Sequence, residues 1–235
     1  MKAGLLSTTE TPAAVCLNCG ALLQGRFCAS CGQDHRRARL SVRDWVADLL
    51  GGITNLEGRV LHTVIDLTLR PGAMARAYVE GHRVRYVSPA RYALATCALW
   101  FLGVALNPEA STIWWVKYGQ LINLASVPAM AWIVHVSFLR SKRNYAENLA
   151  YMFFVSGHTF LWRALLATLV LFPTPPSGLA VNLFDFVLYL AYTVWSLLGF
   201  HRGVPWRGLR VAVAIIGINV FGTLLNLVLQ RLTPA

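Results

Sequence analysis

Charged residues are scarce in this sequence, and acidic residues are the scarcest of them. Only 13% of the 235 residues are charged and 56% are hydrophobic, whereas about 25% are charged in an ordinary soluble domain. Lys and Arg together number 21 against 10 Asp and Glu, a formal net charge of +11. The charges cluster between long apolar runs. This pattern disfavours a soluble enzyme, a disordered chain and a disulfide-rich secreted module, and it predicts an integral membrane protein with a basic face.

The marks of secretion and of common enzymes are also missing. Residues 1–15 hold no apolar stretch of the length that a cleavable signal peptide needs, so we expect a cytoplasmic N-terminus. The sequence contains no H-E-x-x-H, no G-x-S-x-G, no P-loop and no dinucleotide-binding fingerprint. Ser156 and His158 form a Ser-x-His triplet that lacks a third partner. We therefore expect no enzymatic activity and no catalytic residue.

Four of the five cysteines form a repeated pattern near the N-terminus, C-x-x-C-G twice across an eight-residue spacer. The four are Cys16, Cys19, Cys28 and Cys31. A two-residue gap lets both sulfurs of a pair face one ion, and the glycine after each pair can take the positive φ that points backbone N–H groups at the thiolates. We expect a two-stranded ribbon between the pairs, with its turn at Gln24-Gly25. Residues 1–35 are thus predicted to be a cytoplasmic zinc-ribbon head.

The predicted cofactor is a structural Zn²⁺ ion. A small head cannot fold by burial alone, so metal binding must supply folding free energy on the order of 10 kcal/mol. Four thiolates saturate a tetrahedral ion and leave no open position for catalysis. His35 is an alternative fourth ligand, and spacing alone leaves open an iron cluster or two redox pairs without metal. Cys97 lies in an apolar segment and is expected to pack in the core.

Residues 36–88 are predicted to form basic amphipathic helices at the membrane interface. Apolar residues recur with helical spacing over 42–50 and 56–67, and Pro71 can begin a third, short helix. A basic belt accompanies them: Arg70, Arg76, Arg83, Arg85 and Arg91. At about 1 kcal/mol per basic residue, this belt could hold the helices against anionic lipid head groups. Nucleic acid is a rival partner. We disfavour it because the positive-inside rule already accounts for arginines in a cytoplasmic segment next to the first span.

Five apolar segments follow, each near the roughly 20 residues that cross a bilayer. They are 89–106, 120–139, 149–172, 183–200 and 209–229. The sequence therefore predicts an all-α polytopic membrane protein whose residues 89–235 form a bundle of about five transmembrane helices. Lys and Arg concentrate in the connections after the second and fourth segments and are sparse in the others. The positive-inside rule then places the N-terminus inside and the C-terminus outside.

Polar residues inside two of the segments are candidates for a functional site, since charges are costly there. Counted along their helices at 1.5 Å per residue, His158 and Asn219 both lie about 13 Å deep, and Arg163 and Asn226 about 21 and 24 Å deep. The matching depths predict that His158 meets Asn219 and Arg163 meets Asn226, with Asp185 as a counter-charge. One interpretation of these residues is that they stabilise the bundle through hydrogen bonds between helices. A path for protons or a solute is the other.

One stretch of the chain resembles a known family. After the cysteine head come Asn55-Leu56-Glu57-Gly58 and then Arg-Pro-Gly and Gly-x-Arg-x-Arg-Tyr between Arg70 and Tyr86. These motifs resemble a bacterial membrane family known as domain of unknown function 3667, over the head and the stretch to about Phe101. Glu57 stands where that family usually has Asp. The resemblance implies no reaction, and it implies the bacterial inner membrane. The five-span plan is also similar in topology to Yip1-type membrane proteins.

These patterns favour a membrane scaffold or adaptor whose zinc head docks a protein partner or anionic lipid. A small transporter or channel that uses His158, Arg163, Asn219 and Asn226 is the first alternative. A membrane-tethered sensor that binds nucleic acid is the second. Gly199 and Gly203 have the spacing of a helix-dimer motif, which leaves a homo-oligomer open.

Overall fold

The computed structural model describes residues 15–34, 40–42, 56–106, 114–170 and 179–232. Regular structure in these ranges is helical, apart from two isolated β-bridges in the head. The seven helices are α1 (Leu56–Leu69), α2 (Pro71–Val79), α3 (Pro89–Ala105), α4 (Trp114–Ser137), α5 (Tyr145–Val170), α6 (Leu179–Phe200) and α7 (Arg207–Leu232). The all-helical fold class is confirmed. The helix expected over 42–50 falls almost wholly outside the described residues.

Proline sets the first position of two helices. Pro71 begins α2 and Pro89 begins α3, where the missing N–H costs no intrahelical hydrogen bond. The same proline leaves a carbonyl of the preceding helix without a partner, because the N–H that Leu67 would reach four residues later belongs to position 71. The Tyr192 hydroxyl donates to that Leu67 oxygen at 3.1 Å. At the corner between α1 and α2, a residue of α6 thus supplies the hydrogen bond that the proline cannot donate.

Helix α5 is the centre of the bundle. It packs chiefly on α3 and α4, while α2 packs on α6 and α4 packs on α7. The large buried side chains of α5, including Tyr151, Phe154 and Phe160, form much of the hydrophobic core. Most buried residues of the bundle lie toward the end that carries the 138–144 and 201–206 connections. That end is the basic one, and it is the more tightly packed.

Three helices are long and apolar enough to cross a membrane: Tyr118–Ser137, Leu183–Phe200 and Arg207–Arg231. Pro89–Ala105 is apolar but shorter. The predicted span over 149–172 corresponds to α5, which is not among the three. Neighbouring helices cover much of α5, so it can carry Glu147 and Arg163 where a lipid-facing helix could not. A membrane protein is supported, and the count of five spans is not established by length and composition.

The apolar face of α2 packs on protein, and α1 contributes Leu67 to the same core while Leu61, Ile65 and Leu69 of α1 stay exposed. Leu67, Met74 and Tyr78 are buried in the core shared with α5 and α6. Gly72 and Gly199 make the closest crossing, where a Cβ at Gly72 would lie 2.5 Å from the Phe200 amide nitrogen and would also strike the Ser196 carbonyl. These two amphipathic helices are therefore an integral layer of the bundle.

Candidate metal centre and buried polar clusters

The four head cysteines converge on one point. Their Sγ atoms all lie within 4.8 Å of one another, with 3.6 Å between Cys16 and Cys31 and 3.5 Å between Cys19 and Cys28. All four are free of disulfide bonds. In a tetrahedral site with metal–sulfur bonds of about 2.3 Å, the sulfurs stand about 3.8 Å apart. The cluster therefore fits a single tetrahedral ion, as the cysteine spacing predicts.

The two halves of the head have the same local geometry. The glycines that follow each pair adopt positive φ, +78° at Gly20 and +73° at Gly32. Each donates its N–H to the carbonyl of the first cysteine, Gly20 to Cys16 at 2.9 Å and Gly32 to Cys28 at 2.8 Å. The sequence predicts these conformations correctly. A side chain at either glycine would strain the turn, because L-residues rarely adopt this φ.

The pairing of the head differs from the predicted ribbon. The bridges join Val15 to Leu22 and Phe27 to Asp34, so each cysteine pair closes its own small knuckle. The expected hairpin around Gln24-Gly25 is wrong. The reason is local, because the first cysteine of each pair donates its N–H to the residue just after the glycine turn, as Cys16 does to the Ala21 oxygen at 2.9 Å.

Backbone dipoles favour the thiolate at Cys28. The amides of Cys31 and Ser30 hydrogen-bond its sulfur and lower its pKa to about 6. A thiolate is the form that binds metal. Beside it, Arg26 and Asp34 form an ion pair with a 2.9 Å N–O distance. His35, the alternative ligand, lies outside the described residues.

The head sits against the bundle at the loop between α2 and α3. Gly81, with φ +121°, faces Leu17 of the head so closely that a Cβ there would lie 2.7 Å from the Leu17 Cβ. Nearby, Leu40 is buried and its carbonyl accepts a hydrogen bond from Asn144 Nδ2 at 3.2 Å. The metal cluster is therefore held at the basic end of the bundle.

His158 is held by two hydroxyl groups from other helices. Its Nδ1 lies 2.8 Å from the Tyr92 hydroxyl and its Nε2 lies 3.2 Å from Thr68 Oγ1. Because the Thr68 hydroxyl donates to the Val64 carbonyl at 2.8 Å, we assign the ring proton to Nε2, with Tyr92 donating to Nδ1. The predicted partner Asn219 instead donates to Ile215 in its own helix at 2.8 Å. The prediction is wrong because α1 and α3 cover this face of α5.

Arg163 pairs with Asp185, the predicted counter-charge. Its Nε and Nη2 donate to the two carboxylate oxygens at 3.2 and 2.9 Å. The predicted contact with Asn226 is replaced by this bidentate pair. Arg163, Asn219 and Asn226 nevertheless line one cavity of about 330 Å³ between α4, α5, α6 and α7. The structure thus brings three of the four predicted intramembrane polar residues around one space and places His158 outside it.

Two arginines of the basic belt pair with a buried carboxylate, although both are more than half exposed. Arg70 and Arg85 both reach the buried Asp66, at 2.9 and 3.7 Å. Arg83 donates to the Tyr78 carbonyl at 3.3 Å, while Arg76 and Arg91 are half-buried on α2 and α3. Contact of these arginines with lipid stays a prediction.

Asp66 is a buried, paired carboxylate that the sequence analysis misses. It is 4% exposed and accepts a hydrogen bond from the Tyr86 hydroxyl at 2.8 Å as well as from Arg70. Burial opposes its ionisation, yet the hydrogen bonds from Tyr86 and Arg70 together hold its pKa below the usual range. The i, i+4 spacing of Asp66 and Arg70 is the signal that could have revealed the pair.

Fold and site together define a helical protein with membrane-spanning character and a four-cysteine cluster. Residues 57–101 match a family model described as a protein of unknown function, DUF3667. The match confirms the resemblance over these residues, which include α2, nearly all of α1, most of α3 and the residues around Asp66. The extension of the resemblance to the cysteine head stays a prediction. No curated protein and no solved structure matches the chain.

Proposed function

We propose that this protein is an integral membrane scaffold or adaptor whose cytoplasmic head holds a structural zinc ion and docks a protein partner or anionic lipid. The observation that carries the proposal is the convergence of four cysteine sulfurs within 4.8 Å. Four thiolates fill a tetrahedral ion and leave no position for substrate or water, so the ion organises the head rather than catalysing a reaction.

The proposed topology has five spans, with the N-terminus inside and the C-terminus outside the bacterial inner membrane. Helices α3 and α5 pack along each other beside the three long apolar helices, which supports their crossing together. The basic connections bear six cations: Arg140, Lys142, Arg143, Arg202, Arg207 and Arg210. They share one end with the metal head, as the positive-inside rule requires of a cytoplasmic face.

The docking role is supported by apolar side chains that the head leaves exposed. Leu22 is 66% and Phe27 is 58% exposed. The structure describes about 20 residues of the head, so these two make up a large part of its apolar surface. The Arg26 guanidinium lies 4.9 Å from the centre of the Phe27 ring. Aromatic residues such as phenylalanine, and arginine, are enriched at protein interfaces.

Metal analysis of the purified full-length protein tests the cofactor. We expect about one equivalent of zinc, its loss in Cys28→Ser, and its retention in Cys97→Ser, because Cys97 lies outside the cluster. Iron in place of zinc, or a metal-free protein with an intact head, would contradict the proposal.

Crosslinking in cells tests the docking role. A photoreactive residue in place of Leu22 is expected to capture a defined protein or lipid adduct, and Cys28→Ser should abolish it. The matched control places the same probe at Arg202, which is exposed on the bundle. Identical adducts from both positions, or adducts that survive Cys28→Ser, would argue against a docking head.

A small transporter or channel is the second candidate function, because of the 330 Å³ cavity lined by Arg163, Asn219 and Asn226. Polar groups around a space inside a membrane bundle suit a water-filled or solute path. Solute flux in proteoliposomes that disappears in Asn219→Leu would favour this function. A leak that is unchanged by Asn219→Leu and by Asn226→Leu would favour the scaffold.

A further inference from the structure

A groove of about 370 Å³ runs between α5 and α6 next to the polar cavity, and Arg163 lines both spaces. It exists because α5 packs chiefly on α3 and α4 while α6 packs chiefly on α2, so the two helices diverge. Six of its lining residues matter here: Trp162, Arg163, Asp185, Leu188, Tyr192 and Trp195. The volume is within the range of ligand sites in proteins.

The groove has a charged end and a long aromatic and aliphatic wall. On α6, Asp185 is followed on one face by Leu188, Tyr192 and Trp195, which extends the wall about 15 Å along the helix. Tyr192 and Trp195 meet at 80° with their ring centres 6.4 Å apart. Thr68 of α1 also lines the groove. One end therefore suits a charged group, and the remainder suits a hydrocarbon chain.

The charged end lies toward the connection between α5 and α6, a short distance inside the bilayer boundary. Arg163 is about 10 Å from the end of α5 at Val170, and Asp185 is about 9 Å from the start of α6 at Leu179. Helices of 26 and 22 residues are about 39 and 33 Å long, which exceeds a hydrocarbon core of about 30 Å. With the hydrocarbon core centred on the two helices, the backbones of the pair lie about 6–8 Å inside the boundary next to the connection between α5 and α6. A long arginine side chain can reach a head group at that boundary.

The ion pair offers both charges to one ligand. The Asp185 carboxylate accepts hydrogen bonds from Nε and Nη2 of Arg163. Among the described residues, no side chain accepts a hydrogen bond from Nη1. A guanidinium fork binds phosphate, while a carboxylate beside aromatic rings binds an ammonium group. A ligand with only one charge would leave either Arg163 or Asp185 without a partner when it displaced the pair. A ligand with both charges would satisfy the two residues together.

We infer that this groove binds one zwitterionic phospholipid, with its phosphate on Arg163, its ammonium group on Asp185 and an acyl chain along Leu188, Tyr192 and Trp195. The inference rests on the proposed five-span arrangement, since it needs α5 and α6 to cross the bilayer. It does not depend on the metal head, which lies at the other end of the bundle.

Native mass spectrometry of the detergent-purified full chain tests the inference. The probes are phosphatidylethanolamine and phosphatidylglycerol with the same acyl chains, which differ in the ammonium group. We expect one bound phosphatidylethanolamine, retained about tenfold better than phosphatidylglycerol, since a charge-assisted hydrogen bond from the ammonium group to the Asp185 carboxylate is of that order. Asp185→Asn should remove the preference, and Arg231→Gln, on α7 and outside the groove, should keep it. Equal retention of the two lipids by the wild type would overturn the inference.

A second variant keeps the test decisive if Asp185→Asn does not fold. Leu188→Trp fills the groove and leaves the ion pair intact, so it should lose the bound lipid; retention of phosphatidylethanolamine by Leu188→Trp would overturn the inference. Cys28→Ser should keep the lipid while losing metal, which separates this site from the zinc head. A C-terminal topology reporter tests the five-span arrangement separately.

Discussion

At the scale of single residues, Asp66 organises the part of the chain that the family model matches. Its carboxylate is buried between α1 and the loop before α3. It accepts a hydrogen bond from the Tyr86 hydroxyl and forms ion pairs with Arg70 and Arg85. Thr63, one turn earlier, accepts the Val87 amide at 3.0 Å. These contacts fasten the loop that carries the Gly-x-Arg-x-Arg-Tyr motif to α1. The motif therefore has a structural role in holding this loop.

Asp66→Asn should lower stability by about 1.5–3 kcal/mol, the usual range for a hydrogen bond to a charged group. Because the folded pKa of Asp66 is lowered, its contribution is present above the ordinary value of 3.8 and is lost as the pH falls from there through the folded pKa. Thermal unfolding of wild type and variant at neutral pH, and again below pH 3.8, measures both effects.

The control for that measurement is Asp34→Asn in the head. Asp34 also pairs with an arginine at 2.9 Å, but Arg26 is half exposed, and exposed pairs contribute about 0–1 kcal/mol. Equal losses in the two variants, or a loss at Asp66 that does not shrink in acid, would contradict the account of this carboxylate.

For His158, the sequence predicts burial within a helix but does not predict its hydrogen-bond partners. Its depth along α5 is readable from the 1.5 Å rise, and the residue is indeed enclosed, at 1% exposure. Depth gives height along a helix and says nothing about which helix stands opposite. Thr68 and Tyr92, its real partners, precede it by 90 and 66 residues. For Arg163, depth and charge together did identify Asp185.

At the scale of elements, the helices follow from the sequence better than their contacts do. Pro71 and Pro89 mark helix starts, and apolar periodicity gives the course of α1. The same amphipathic pattern suits a lipid surface or a protein surface equally. The close approach of Gly72 to Gly199 depends on the relative placement of two helices far apart in sequence, which no local signal encodes.

Gly72→Ala should destabilise the bundle by about 1–3 kcal/mol, because the added Cβ meets the backbone of α6 and backbone cannot turn away. Gly58→Ala in α1 is the matched control, since nothing lies within 4 Å of its Cβ position and alanine favours helix. The measurement is the apparent melting temperature of each purified variant. Equal melting temperatures would contradict the crossing between α2 and α6.

Tyr192→Phe should cost about 1–3 kcal/mol, because it leaves the buried Leu67 carbonyl without a donor. Tyr145→Phe is a close control: its hydroxyl also donates to a carbonyl at 3.1 Å, that of Pro128. Because Pro128 lies inside α4, its carbonyl keeps the intrahelical hydrogen bond from the amide four residues later. Denaturation of the two variants in the same detergent compares them. A larger loss of stability for Tyr145→Phe would contradict the role of the Tyr192 hydroxyl as the hydrogen-bond donor to the Leu67 carbonyl.

At the scale of the whole molecule, charge distribution gives the predicted orientation. A reporter that is active only outside the cytoplasm should work when fused after residue 235 and fail when fused before the head. The reason is that the basic connections of the bundle lie at one end and an odd number of spans separates the termini. Activity of the reporter at the N-terminus, or at both termini, would contradict the topology.

The corner between α1 and α2 also has a consequence for biosynthesis. The Leu67 carbonyl is completed by a hydroxyl that follows it by 125 residues, so the ribosome has finished α1 to α5 before that donor exists. Until α6 is made, this oxygen lacks its native partner and can bond only to water or to other transient donors. The segment matched by the family model therefore reaches its final form late in synthesis, once the sixth helix has joined it.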